Sequence, residues 1–244
     1  MMDSRANGGQ RRRRNLTFGM LDSLGRAIVT GAYRDRSFPT EAELARSHGV
    51  SRSVTREAMK MLAAKGLVSA RPRQGTAVRP SANWNLFDPD VLRWLLERRF
   101  SVDLLLHFTQ LRLAIEPEAA ALAARHGEEA DHALIRSGLD RMAAAERGED
   151  ETLDADIAFH VAVLNASKNP FYAQFRDVVA TALAKSIRFT NGIKGHSASI
   201  AEHAAVLDAL VAGDADRARD AMRLLIANVL LLIEGAEPDG MGQL

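Results

Sequence analysis

Cysteine is absent from this chain of 244 residues. That excludes disulfides and thiolate metal sites, and it fits a reducing compartment, so the cytoplasm is the expected location. Long apolar runs are missing as well. The longest near the C-terminus, from Asn228 to Ile233, is far too short to span a bilayer, and the N-terminal arginines have no apolar signal core behind them. Neither a membrane partner nor export is expected. There is no internal repeat or low-complexity tract, and beyond Asp88 no strand pattern.

Charge is present but unevenly placed. The net charge is only +1, yet residues 1–79 hold 16 basic against 6 acidic side chains, while residues 80–244 hold 16 against 25. Two domains with different partners follow from this split. The basic part suits a polyanion, for which nucleic acid is the commonest candidate, and the acidic part is a poor DNA ligand.

Residues 1–15 contain Ser, Asn, Gly and the run Arg11 to Arg14 with nothing apolar to pack, so a mobile basic tail is expected there, either solvated or touching phosphates. From Phe18 to Thr30 apolar residues recur at helical spacing. Thr40 and Glu43 form a capping-box pattern at the start of a second, short helix that ends near Ser47. His48-Gly49-Val50 makes a turn, and Ser51 caps a third helix through Lys65, stopped by Gly66. Leu67–Ala70 and Thr76–Val78 read as two short strands joined by a basic Pro/Gly turn. This order is a winged helix-turn-helix over 16–79. A linker is expected at 80–88, followed by an all-helical domain of seven helices over 89–236 and a flexible tail at 237–244. The fold class is mainly α.

In a helix-turn-helix the second helix enters the major groove. Here it opens Ser51-Arg52-Ser53-Val54-Thr55-Arg56. Arg52 and Arg56 are four apart and share a face, so two guanidinium forks of the kind that read guanine point the same way. Alone, the pair could be ordinary solvated charge, with Arg56 paired to Glu41 or Glu43. The complete order of helix, capped helix, turn, arginine helix and basic wing favours double-stranded operator DNA.

In the acidic part, Asp156 and His160 are four apart on one helix and can hold one cation together, and His203 lies near the start of a later helix that a bundle can bring alongside. The plain alternative is a hydrogen-bonded or solvated pair. Arg112 sits among Leu111, Leu113 and Ile115, where a guanidinium needs an anion. That anion is either Glu116 or Glu118 nearby, or the carboxylate of a ligand. Asn165 and Arg188 are further candidates for ligand hydrogen bonds. His48, His107, His126, His132 and His196 have no partner at a telling spacing.

The stretch from Phe38 to Val78 resembles the DNA-binding domain of the GntR superfamily of bacterial regulators. The segments Asn83–Glu97, Gln110–Ala124, Ala155–Phe171 and Glu202–Ala218 resemble the FadR-like branch, whose effector domain is the all-helical FCD fold. The resemblance implies DNA contacts at Ser51, Arg52, Arg56, Arg71, Arg73 and Gly75. The family's usual arginine early in the second helix is Ala42 here, so that contact does not carry over. The resemblance also implies a divalent metal at Asp156, His160 and His203, with Leu225 standing where the family has a further histidine. Zn, Ni, Mn and Fe all suit that donor set.

Arg112 would then hold the carboxylate of a small acid effector, plausibly an aldonic or uronic sugar acid. A homodimeric repressor on a palindromic operator is the expected whole. The rival functions are a metal-dependent enzyme fused to a DNA-binding domain, which has no obvious general base beside the histidines, and a nonspecific architectural DNA-binding protein.

Overall fold

The computed structural model describes residues 4–34, 36–71, 75–97, 102–181, 183–184 and 200–235; of residues 4–14 and 71 it describes the backbone alone. The chain divides into two compact units, 1–99 and 100–244. Charge divides at the same place: 19 basic against 9 acidic residues in the first, 13 against 22 in the second.

In the first unit, helix α1 spans Ser4–Val29 and buries Met20, Leu21, Leu24 and Ile28. It begins well before the apolar periodicity does. The mobile tail expected over 1–15 is therefore corrected for residues 4–15, which continue the helix. Once the apolar segment has nucleated a helix, each added residue brings one backbone hydrogen bond, and the arginines at 11–14 are good helix formers.

Helix α2, Glu41–Ser47, starts at the capping box: Thr40 N–H donates to Glu43 Oε2 at 2.8 Å, and Glu43 N–H donates to Thr40 Oγ1 at 3.3 Å. Gly49, at φ +62°, turns the chain into α3, Arg52–Ala64, capped by Ser51 Oγ accepting from Val54 N–H. Strands β1 (Val68–Arg71) and β2 (Gly75–Val78) pair antiparallel, with Val68 opposite Val78 and Arg71 opposite Gly75. The wing's tip at 72–74 lies outside the described residues, as does the tail expected at 237–244.

The expected linker at 80–88 does not behave as one. Asn85 N–H donates to Lys65 O, Trp84 Nε1–H donates to Arg79 O, and Lys65 Nζ reaches Asp88 at 2.7 Å and Asp90 at 2.9 Å. The segment crosses the end of α3 so closely that a Cβ on Gly66, at φ +77°, would lie 2.4 Å from Asn83 O. Helix α4, Pro89–Glu97, then packs on α1. Trp94 is fully buried against Gly25, and its Nε1–H donates to Asp22 at 2.8 Å. The boundary expected at 89 is thus corrected to the 99/100 division. Physically, Val91 and Trp94 complete the core of the first unit, and Asp22, Asp88 and Asp90 complete its ion pairs.

Among its described residues the second unit has helices and no strand. Helices α5 (Val102–His126), α6 (Glu129–Glu146), α7 (Thr152–Ala166), α8 (Pro170–Ala173), α9 (Ile200–Val211) and α10 (Ala215–Glu234) surround an apolar core that includes Phe159, Val206, Leu210, Met222 and Ile226. After α8 the chain turns at 174–175 and is helical again over 176–181. Helices α6 and α7 approach at Gly138, where a Cβ would stand 2.9 Å from the Phe159 backbone. Among the described residues no helix is long and apolar enough to cross a membrane.

A Cβ at Gly25 would sit 2.3 Å from the Trp94 ring, and a buried indole cannot step aside. Gly25→Ala should therefore cost about 1–3 kcal/mol through overpacking and Trp94→Ala about 3–5 kcal/mol through the cavity. In the double variant the two costs should fall short of their sum, because removing the ring removes the clash. Urea denaturation of the four proteins measures this, and additivity would mean that α4 does not press on α1 at this point.

Candidate functional site

The arginine helix presents what its spacing promised. Val54, Thr55, Ala58 and Leu62 are buried, while Arg52 and Arg56 are exposed on the opposite side. Arg56 Nε lies 3.8 Å from Glu41, a loose exposed pair that costs little to break. The Ser51 hydroxyl is engaged as the helix cap, so any DNA contact it makes adds to a structural task. Gly75 opens β2 at φ +83°. The Arg71 side chain, Arg73 and Arg188 lie outside what the structure describes.

In the second unit, α5, α7 and α9 bring five polar side chains together inside the apolar bundle. Arg112 and Glu116 come from α5, Asp156 and His160 from α7, and His203 from α9. None is more than 3% exposed. The four-residue spacings on α5 and α7 put each pair on one helix face, and burial of the apolar neighbours turns those faces inward.

Asp156, His160 and His203 offer ligand atoms that all lie within 4.8 Å of one another. His203 Nε2 is 3.1 Å from Asp156 Oδ1, and His160 Nε2 is 3.9 Å from the same oxygen. Burial pushes the Asp156 carboxyl up, but its bond to His203 and the nearby imidazoles outweigh this and hold it below the usual carboxylate value. Leu225, buried in the apolar core, supplies no fourth donor.

Arg112 has its anion within the chain. Its Nε donates to Glu116 Oε1 at 2.5 Å and its Nη2 to Oε2 at 3.3 Å. Glu118, the other nearby acid, pairs instead with Arg219. The second Glu116 oxygen is also 2.5 Å from His160 Nδ1. Complete burial raises the Glu116 carboxyl, yet the charge of Arg112 and the contact with His160 outweigh it and bring it down to about 2.

The cluster sets two carboxylates and two imidazoles against one guanidinium, away from solvent. Buried imidazole and carboxylate donors at this mutual spacing fit a divalent transition metal.

Asn165 is not part of this cluster. It lies five residues after His160, a rotation that leaves it about 140° around the helix, and its side chain is exposed. Its backbone oxygen accepts from Lys168 N–H at the end of α7. The residue the sequence undervalued is Glu116. Its signal was the four-residue spacing from Arg112 on an apolar helix.

Two family descriptions match the two units separately. Residues 21–78 match the bacterial regulatory proteins of the gntR family, and residues 107–228 match the FCD domain. The chain belongs to the GntR family, in its FadR-like branch with an FCD domain. Among GntR relatives from Escherichia coli K12, the galactonate operon transcriptional repressor is 33% identical over 219 residues, covering 88% of this chain and 95% of that one. The uncharacterized HTH-type transcriptional regulator YieP is 32% identical over 216 residues, covering 87% and 93%. A solved structure of Lar, described as controlling the Listeria monocytogenes agr system, shares the fold with a TM-score of 0.60 at 19% identity, covering 91% of this chain and 97% of that one. The relatives are named as transcriptional regulators, and the family binds operator DNA and senses small molecules through the FCD domain.

The Glu116 carboxyl is depressed from its ordinary 4.5 to about 2. A depressed acid stabilises the fold above its unfolded value and loses that contribution as pH falls through the folded value. The stability gap between wild type and Glu116→Gln should therefore be full above pH 4.5 and close as pH approaches 2. Urea denaturation across that range checks it; a gap that stays constant would mean that Glu116 is not an ionised partner of Arg112.

Proposed function

We propose that this GntR-family regulator is a cytoplasmic homodimeric repressor of sugar-acid catabolism genes, released from a palindromic operator when a small hydroxy acid enters the FCD bundle. The observation that carries the reading is the enclosed set of Asp156, His160, His203, Arg112 and Glu116. An apolar core does not keep five polar groups at such a desolvation cost for packing alone. The relative named for a galactonate operon supports an aldonate as the effector class.

Asp156, His160 and His203 would hold a divalent Zn, Ni, Mn or Fe ion, which when bound supplies Lewis-acidic positions for the hydroxyl and carboxylate oxygens of the acid. Of the guanidinium donors of Arg112, Nε and Nη2 are engaged by Glu116, and Nη2 also lies against the His160 ring. Nη1 is then the donor that meets an effector oxygen. Asp156 and Glu116 disfavour an anion beside them until a cation balances their charge, so metal and effector reinforce each other. Release from DNA requires the acid to prefer one arrangement of the dimer over the other.

On the DNA side, Arg52 and Arg56 read base edges, with Ser51, Arg71, Arg73 and Gly75 at the backbone of the duplex. Arg52→Ala and Arg56→Ala should each weaken operator binding by about 1–3 kcal/mol and relax base preference. Competition on operator and scrambled DNA measures both; unchanged discrimination in both variants would leave these arginines as surface charge.

On the effector side, His160→Ala or His203→Ala should remove metal and ligand response while leaving operator binding of the effector-free protein nearly intact. Elemental analysis with mobility shifts decides it. Arg112→Lys keeps a charge for Glu116 but loses the planar donor set, so calorimetry with galactonate and related aldonates should show affinity lower by about 1.5–3 kcal/mol. Wild-type affinity in Arg112→Lys would make Arg112 purely an ion-pair residue.

A further inference from the structure

Glu116 accepts from Arg112 through both oxygens and touches His160 Nδ1 with one of them. Both Glu116 oxygens already accept guanidinium N–H groups, so in the Glu116–His160 contact Nδ1–H is the donor. A neutral imidazole protonated at Nδ1 carries its lone pair on Nε2. That is the ring atom facing Asp156 Oδ1, the oxygen that also meets His203 Nε2.

Arg112 Nη2 lies 3.2 Å from Nδ1 and 3.2 Å from Nε2 of the same ring. No in-line hydrogen bond to one lone pair is equidistant from both nitrogens, so this contact is with the ring and leaves the in-plane direction of Nε2 open. Both Glu116 oxygens are meanwhile committed, which removes Glu116 from competition for a cation.

We propose that Glu116 is a positioning residue of the cation site: it orients His160 and fixes the tautomer that presents Nε2 to a divalent transition metal, while Arg112 anchors the carboxylate. The proposal rests on the reading of Asp156, His160 and His203 as cation ligands. A carboxylate on the far nitrogen of a ligating histidine both sets the ring's direction and makes its near nitrogen a stronger donor. A site with three protein ligands among the described residues depends more on each of them. Arg112 thereby has a place in the cation site without touching the cation.

The test uses the full-length metal-free protein, with nitrogen NMR of the histidine rings and His160 assigned through His160→Gln. In the wild type His160 should be protonated on Nδ1 with a bare Nε2. The double variant Arg112→Met/Glu116→Leu exchanges the buried pair for apolar residues of similar volume, so neither charge is left alone and the bundle keeps its fold. In it the fixed tautomer should disappear, and zinc affinity measured by calorimetry should fall about 10–100-fold. Glu116→Gln, whose amide oxygen still accepts from Nδ1–H, should keep the tautomer and lose less affinity. Protonation of His160 on Nε2 in the wild type overturns the proposal, as does wild-type zinc affinity in the double variant. If the wild type binds neither zinc nor nickel, the cation reading itself falls and the role of Glu116 with it.

Discussion

A guanidinium enclosed in an apolar helical bundle has to be answered by a negative charge, and most of the second unit's polar interior follows from how Arg112 is answered. Glu116, one turn along the same helix, supplies the carboxylate at 2.5 Å. Its second oxygen, which Arg112 meets at 3.3 Å, also takes His160 from α7. His160 stands beside Asp156, and Asp156 meets His203 from α9. Each group solves the desolvation problem of the one before it. The chain ends on two imidazoles and a carboxylate whose ligand atoms lie close enough to fit a divalent cation.

The first unit has the opposite design. Its apolar core is continuous, and its charges stay at the surface or in ion pairs at its edge. The arginine helix leaves Arg52 and Arg56 exposed because the four-residue spacing that aligns them is also the spacing that buries Val54 and Ala58 behind them. Charge therefore separates by unit as well as by sequence. The DNA-binding family match and the excess of basic residues fall on the first unit, the effector-domain match and the excess of acidic residues on the second.

The edge of the first unit depends on small residues as much as on large ones. Gly25 lets the Trp94 indole lie against α1, and Gly66 lets the backbone at Asn83 cross the end of α3. Lys65 is held between Asp88 and Asp90; burial draws its charge down, and the two carboxylates outweigh that and raise it. These contacts turn a stretch rich in Pro, Ser, Asn and Asp into a fitted part of the DNA-binding unit. Composition gave no warning of it, because turn-forming residues look the same whether or not they are packed.

Local order was legible in the residues themselves. The capping box at Thr40 and Glu43, the turn at Gly49, the cap at Ser51, the paired arginines and the wing all follow from interactions between near neighbours, and each stands where its spacing put it. The Asp156–His160 pairing is of the same kind. What the tertiary structure decided was every choice between distant partners: that His203 meets Asp156, that Arg112 takes Glu116 while Glu118 takes Arg219, that Asn165 faces away, and that residues 80–97 complete the first unit. Helical periodicity says which face of a helix is buried but not which helix it is buried against. The partner of a buried charge is settled only when two or three such faces close on one another.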